Sequence, residues 1–352
     1  MKTLFWFRRD RRIQDNLALK TAAEASSELH SLYVFPQWLD KRSPLRQHSV
    51  LASVQNLSTS LPNGLSVTTG NAAQAIASYC KEQAIEKVYA TRSFDTTGMA
   101  IQDEVGSELA KISVGLELVD SYYAVAPGTI RKDDGSALKV YTPFYKRWFL
   151  NGWDEPVVLD TADVNWAPAA LSQWFQPTGS SPFAIKAGEG HALTTLERFM
   201  QRVPRYHEDR NRCDLSGTSH LSHALAHGEI HPRTLLSGLG SSEGEEVFRK
   251  EIAWREFYAD VLFHNPHTLH DYLEPRFSRM RFDDPQEHAQ KLAAWKIGMT
   301  GYPIVDAAMR QLVQTGWMHN RARMIVASFL VKDLHFEWQV GARFFEEHLT
   351  DH

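Results

Sequence analysis

The chain has 352 residues, 43% of them apolar, which is enough for more than one packed domain and excludes a disordered chain. A formal net charge of −4 excludes a globally basic nucleic-acid binder, so any such binding must come from a local patch. Two cysteines, Cys80 and Cys213, exclude a disulfide framework and a four-cysteine metal site, and the expected setting is reducing and cytoplasmic.

The opening MKTLFWFRRDRR has no long apolar run before a cleavage site, so no signal peptide is expected. Within it TLFWF, residues 3–7, reads as a buried strand, and a helical pattern follows from Asn16. HSLYVF is a second strand, RQHSVLASVQNLSTSL a helix and LSVTTG a third strand. NAAQAIASYCKEQAI is an amphipathic helix, KVYATRSF a fourth strand, Gly98–Lys111 a helix and GLELVDSYYAV a fifth strand. Strand–helix alternation with short connections implies a five-stranded parallel, Rossmann-like α/β domain over residues 1–126. No GxGxxG follows the first strand, so the dinucleotide fingerprint is absent. Residues 127–190 carry Pro127, Pro143, Pro156, Pro168, Pro177 and Pro182 and read as a long connection crossing the surface. From His191 to His352 helical periods dominate, so the second domain is expected to be all-α. No run of about 18 apolar residues occurs, so no membrane span is expected.

Fourteen of the 16 histidines follow residue 190, and four stand in GTSHLSHALAHGEIHP, residues 217–232. His220, His223, His227 and His231, spaced three, four and four apart, suggest a metal comb. A metal needs a carboxylate or thiolate to complete the set, no HExxH occurs and Cys213 stands alone, so no metal is expected. The Gly-Thr-Ser ahead of a helical run has instead the form of a phosphate cradle, since a helix start offers unpaired N–H groups.

In EIAWREFY, Glu251, Trp254, Arg255 and Tyr258 share one helical face, while Ile252, Ala253 and Phe257 are placed to face a core. A solvated Glu–Arg pair is the plainer account of that spacing. In TGYPIVDAAMRQLVQTGWMHNRARMIVASFLVKDL, Pro303 suits a first helical turn and Ile304, Ala308 and Leu312 give it a stripe. Gly316 ends that helix and a second begins near Trp317. There Trp317, Asn320, Arg323 and Met324 share a face beside Arg321, a combination that does not make an apolar core face; hairpin packing with a polar rim is the plainer account.

These blocks resemble the photolyase and cryptochrome family. WFRRDRRIQDNLAL, GTSHLSHALAHGEIHP, EIAWREFY and the TGYPIVDAAMRQLVQTGWMHNRARMIVASFLVKDL run are similar to blocks of class I cyclobutane pyrimidine dimer photolyases, in the right order. The resemblance implies an antenna domain, a linker and a helical FAD domain, with light-driven repair of UV-damaged DNA by a monomer. It implies FAD phosphates on Thr218, Ser219, His220, Leu221 and Ser222, and flavin contacts from Tyr206, Phe248, Glu251, Arg255, Trp317, Asn320, Arg323 and Asp351. It assigns the flipped dimer to Glu251, Trp254, Asn320 and Met324, and DNA contact to Arg210, Trp254 and Arg321. Trp338 matches the middle member of the electron-transfer relay, and Phe282 its outer position.

Four departures qualify the resemblance. The chain ends in FFEEHLTDH, where the family continues past the position of Asp351, so a truncated chain with weakened FAD retention is expected. The relay is depleted. His220 stands where the family prefers arginine, which weakens the phosphate grip. Thr97-Gly98 replaces the Asn-Glu pair of folate binders, leaving folate, deazaflavin or no antenna open. Residues 191–352 carry 19 Lys and Arg against 22 Asp and Glu, so DNA affinity would rest on a local ring of Arg210, Arg321, Arg279 and Arg281. The alternative reading is a cryptochrome-like light sensor or non-catalytic flavoprotein; the histidine metalloprotein is a distant third.

Overall fold

The protein is described by a computed structural model covering residues 1–352. The first strand, β1 (Lys2–Phe7), alternates: Phe5 and Phe7 enter one apolar cluster, Leu4 and Trp6 the cluster on the other face. Helices therefore cover both faces of the sheet, as a parallel sheet requires. The order along the chain is α1 (Leu17–Glu24), β2 (Glu28–Pro36), α2 (Pro44–Ser60), β3 (Ser66–Gly70), α3 (Ala72–Gln83), β4 (Lys87–Thr91), α4 (Thr96–Ala110) and β5 (Gly115–Val119). The sheet order is β3-β2-β1-β4-β5, with every pairing parallel. Asn16 caps α1 by accepting from the Leu19 amide, which is why the helical pattern starts there.

Residues 127–190 differ from a plain surface connection. They contain α5 (Tyr141–Asn151), whose Phe144 and Trp148, four residues apart, are buried in the second domain's core. Farther on, the chain returns to the sheet: Leu29 donates to Asn165 O at 2.9 Å and Val67 to Leu171 O at 3.0 Å. This lines the β3 side of the sheet with backbone, which protects an otherwise open edge.

The remainder is helical: α6 (Glu189–Met200), α7 (Tyr206–Asp209), α8 (Ser222–His227), α9 (Pro232–Ser237), α10 (Glu243–His264), α11 (Ala289–Ile297), α12 (Pro303–Thr315), α13 (Asn320–Lys332) and α14 (Trp338–His348). Two cores serve it, one around α10 and α5 and one among α11 to α14. Ile304 is not part of the α12 stripe: it is exposed, and Val305, Ala308, Met309 and Leu312 form the buried face. The apolar set begins one residue later than the sequence pattern suggested. No helix is long and apolar enough to cross a membrane.

The RRDRRIQDN block fastens the two domains. Arg8 ties inward to the Gly98 carbonyl at 2.8 Å, which places Gly98 in the packing at the start of α4. Arg11 reaches His227 Nδ1 and the Tyr33 hydroxyl, each at 2.7 Å, and Arg12 donates to the Gly228 carbonyl at 3.2 Å. Asp15 accepts from Arg233 Nε at 3.0 Å, and Arg233 also holds Asp120 at 2.7 Å. Gly228 permits this closeness, since a Cβ there would lie 1.9 Å from the Arg9 carbonyl oxygen.

His223 and His227 do not face solvent. His227 is buried between Arg11 and the Thr350 carbonyl, to which Nε2 donates at 2.8 Å, and His223 is partly buried against it, ring centroids 4.3 Å apart. His231 is also buried: its Nδ1 accepts from the Arg233 amide to cap α9, and Nε2 donates to the Ser121 carbonyl at 3.1 Å. The regular spacing thus serves the joint between domains. No group of three or more His, Cys, Asp or Glu is placed to hold a metal.

Candidate functional site

Three stretches meet at a cleft of about 1120 Å³ in the helical domain. The first is α10, opened by a capping box between Ser242 and Glu245. Its apolar face, with Phe248, Ile252, Ala253 and Phe257, is buried, which turns Glu251, Trp254, Arg255 and Tyr258 toward the cleft. The second is the α12–α13 corner. Gly316 ends α12 in the left-handed conformation, φ 67°, and His319 caps α13 through Nδ1 at 3.0 Å from the Arg321 amide. The helix therefore starts at Asn320, three residues after the expected Trp317, and Trp317 lies in the corner itself. The third is the turn 217–221. A Cβ on Gly217 would sit 2.6 Å from the Asp209 carbonyl oxygen, so the turn can lie this close to α7 only with glycine.

Of the residues singled out in the sequence, the cleft gathers Tyr206, Arg210, Thr218, Ser219, His220, Ser222, Phe248 and Glu251. It also gathers Trp254, Arg255, Trp317, Asn320, Arg321, Arg323, Met324 and Asp351. Two are elsewhere. The Leu221 side chain is core, packed with the α10 cluster, because the residue before α8 points inward. Trp338 opens α14 away from the cleft and meets the Tyr272 ring edge-on at 6.2 Å.

Electrostatics divide the cleft. At its mouth Arg210 Nη1 contacts Glu251 Oε1 at 2.5 Å, with the Arg210 guanidinium 5.5 Å from the centroid of the Tyr206 ring. Burial raises the Tyr206 phenol to about 12, helped by the nearby Glu251 charge. Arg321 donates to Asn211 at 2.9 Å, with Met324 exposed beside it. Arg279 and Arg281 are exposed and do not line the cleft. Deeper, Arg323 pairs with Asp351 Oδ2 at 2.6 Å and donates to the Met318 carbonyl at 2.9 Å. Arg255 is spent on structure: it donates to the Tyr122 carbonyl at 3.2 Å and lies 4.7 Å from the Tyr123 ring centroid. His220, left-handed at φ 56°, rests its ring 4.6 Å from Trp317 and shares a hydrogen bond with Ser216 at 3.1 Å. Burial, with Arg202 and His319 nearby, lowers its pKa, so it is neutral at pH 7 and offers no charge.

Several polar groups here have no partner within the protein. The Ser222 hydroxyl and Asp351 Oδ1 are buried and unpaired, and the Thr218, Ser219 and His220 amides meet no protein acceptor. Buried polar groups are rarely left so, and a phosphate-bearing cofactor with hydrogen-bonding ring edges fits this donor and acceptor set. Since α8 is only six residues long, the unpaired amides of the turn rather than a helix dipole would attract a phosphate.

The sequence reading missed Arg9 and Tyr123, which reach the cleft from the first domain's side, and Tyr141. Tyr141 stacks on Trp254 with centroids 3.6 Å apart and planes 5° apart, and Tyr258 covers Trp254 at 5.6 Å. The aromatic spacing in YTPFYKRWF was the available signal.

A parallel α/β domain fastened to a helical domain with a large cleft of mixed aromatic and polar lining defines a two-domain, cofactor-binding architecture. Residues 3–158 match the DNA photolyase family model, and residues 248–352 match the FAD binding domain of DNA photolyase. The deoxyribodipyrimidine photo-lyase of Alkalihalophilus pseudofirmus is 33% identical over 371 residues, covering 99% of this chain and 76% of that protein. The Escherichia coli deoxyribodipyrimidine photo-lyase is 33% identical over 376 residues, covering 99% and 78%. A class III photolyase structure from Agrobacterium tumefaciens superposes with TM-score 0.88 at 32% identity, covering 99% of this chain and 76% of that one. A Synechocystis cryptochrome gives TM-score 0.90 at 25% identity, covering 100% and 79%. The chain belongs to the photolyase and cryptochrome family. Its likeness extends to class III and cryptochrome structures, so the comparisons show the family and single out no class within it.

Proposed function

We propose that the protein is a DNA-repair photolyase of the class I kind, which holds FAD in the cleft and splits cyclobutane pyrimidine dimers under blue light. The observation that carries this reading is the grouping of the Arg210–Glu251 pair, the Trp254 plane and Asn320 at one mouth, above unpaired buried groups. Bound reduced FAD would supply a photoexcited one-electron donor. The chain supplies positions and fields. The 218–220 amides and the Ser222 hydroxyl take phosphate oxygens, and the Arg323–Asp351 pair with Asn320 takes ring-edge polar atoms. Trp254 offers an apolar face to flipped-out bases, and Glu251, oriented by Arg210, hydrogen-bonds their edges. Arg210 and Arg321 contact DNA phosphates, so binding weakens as salt rises. A folate or deazaflavin would serve as antenna in the first domain.

A cryptochrome-like sensor is the second reading, favoured by Tyr141, which already covers one face of Trp254 at 3.6 Å. The test is dimer loss from UV-irradiated oligonucleotide under blue light, with flavin-loaded protein and a chemical reductant. Loss of dimers supports repair; a flavin-loaded chain that restores none removes repair and leaves the sensor.

A further inference from the structure

The Tyr141–Trp254 stack is the first step of a longer ring series. Tyr145 follows Tyr141 at 5.9 Å, Trp148 follows Tyr145 at 6.2 Å, and Trp153 follows Trp148 at 4.8 Å. The series leaves the cleft at Trp254, runs along α5 and ends at the half-buried Trp153 on the surface. Spacings of four and three residues on one helix would also serve an ordinary core face. What packing does not require is a buried carboxylate aimed at one ring. Trp148 is 0% exposed, and its Nε1–H donates to Glu256 Oε2 at 2.5 Å. Glu256 is itself buried and also accepts from the Ala124 and Val125 amides.

We propose that Trp254, Tyr141, Tyr145, Trp148 and Trp153 form an electron relay between cleft and surface, with Glu256 as the proton acceptor of Trp148. The proposal rests on the cleft holding flavin. One electron leaves Trp254 for photoexcited oxidised flavin, and Trp148 refills Trp254 through the two tyrosines. Oxidised indole is strongly acidic at its N–H, so the Nε1 proton crosses the existing hydrogen bond to Glu256 and leaves a neutral radical on Trp148. A thiol at the surface then donates an electron through Trp153, releasing a proton and a thiyl radical that pairs to a disulfide. The proton on Glu256 returns to Trp148. The net change is one electron from thiol to flavin.

The tyrosines conduct but do not hold the charge. The Tyr141 hydroxyl donates to the Lys250 carbonyl at 2.7 Å, which cannot keep a proton, and Tyr145 lies beside Arg249 and Lys250. Trp148 is the one ring of the series with a carboxylate on its N–H.

The experiment is flash photolysis and electron paramagnetic resonance of the flavin-loaded chain with ring-deuterated tryptophan, in the wild type and in W148F, W153F, E256Q and W338F. A neutral tryptophan radical is expected in the wild type, lost in W148F and replaced by a short-lived radical cation in E256Q. In W153F, whose ring is half-buried and whose replacement preserves packing, the radical is expected to outlive the wild type in the presence of thiol. Glu256 faces the Trp148 N–H, two backbone amides and the Arg255 guanidinium. Burial raises its pKa to about 7, so the neutral-radical yield should climb as pH rises through that value in the wild type and stay flat in E256Q. An unchanged radical in both W148F and W153F, or one lost only in W338F, overturns the relay while leaving the flavin reading intact. A chain that takes up no flavin overturns that reading and the relay with it.

Discussion

Arg210 Nη1 lies 2.5 Å from Glu251 Oε1, so the carboxylate facing the cleft and the arginine at its mouth form one unit. Their side chains are 15% and 25% exposed, and removing one partner leaves the other poorly solvated. Glu251→Ala and Arg210→Ala should each lower dimer repair and weaken binding of dimer-containing DNA. The double variant should be less impaired than the sum, with a coupling of about 1–2 kcal/mol in a double-mutant cycle. Additive losses would separate the two roles.

Asp351 holds Arg323 at 2.6 Å with its own side chain 1% exposed, and Oδ1 is left for whatever fills the cleft. Asp351→Asn removes the charge opposite a partly buried guanidinium. A cost of about 3 kcal/mol is expected, with flavin released on dilution. Fluorescence of free flavin after gel filtration reads the release, and Asp351→Glu should retain more flavin than Asp351→Asn.

The sheet was legible because its strands alternate or run apolar and its helices begin at side-chain caps such as Asn16 and Asn71. The α10 face was legible for the same reason, since Ile252, Ala253 and Phe257 fix which way Glu251 and Trp254 point. The joint between domains was not. His227 and His231 look like surface residues until Arg11 and Asp15 arrive from more than 200 residues away in sequence. Likewise α5 lies among prolines, and its role depends on Glu256, more than 100 residues downstream. Tyr141 covering Trp254 is a long-range contact of the same kind, which no local pattern encodes.

The buried histidines predict acid sensitivity. Burial lowers the pKa of His227 far below its ordinary value, aided by His223 and Arg11, and burial also brings His231 down to about 4. Unfolded, both titrate near 6.5. The unfolded chain therefore binds protons first as pH falls, so this stability is fully present above about pH 6.5 and drains as pH drops toward 4. With two such groups the slope is up to about 2.7 kcal/mol per pH unit. Melting temperature measured against pH checks this, and His227→Gln should roughly halve the slope. A flat profile between pH 7 and 5 would mean that the joint accepts protonated histidine.

Gly228 links the joint to the cleft. Its φ of 67° is strained for any side chain, and a Cβ would lie 1.9 Å from the Arg9 carbonyl, on backbone leading out of β1 that cannot yield. Gly228→Ala should therefore cost about 3 kcal/mol or more, beyond the 1–2 kcal/mol of left-handed strain alone. Gly135, at φ 79° with nothing within 4 Å of a built Cβ, isolates the strain term. If only steric closeness matters, Gly135→Ala melts near the wild type while Gly228→Ala melts well below it and releases flavin. The release follows because α8, which Gly228 closes, begins at Ser222 beside the turn that carries the unpaired amides. Pushing its end off Arg9 moves that turn away from Asp351, whose neighbour Thr350 accepts from His227 one residue before the glycine. A stable Gly228→Ala variant that keeps its flavin would show that the cleft does not depend on the domain joint.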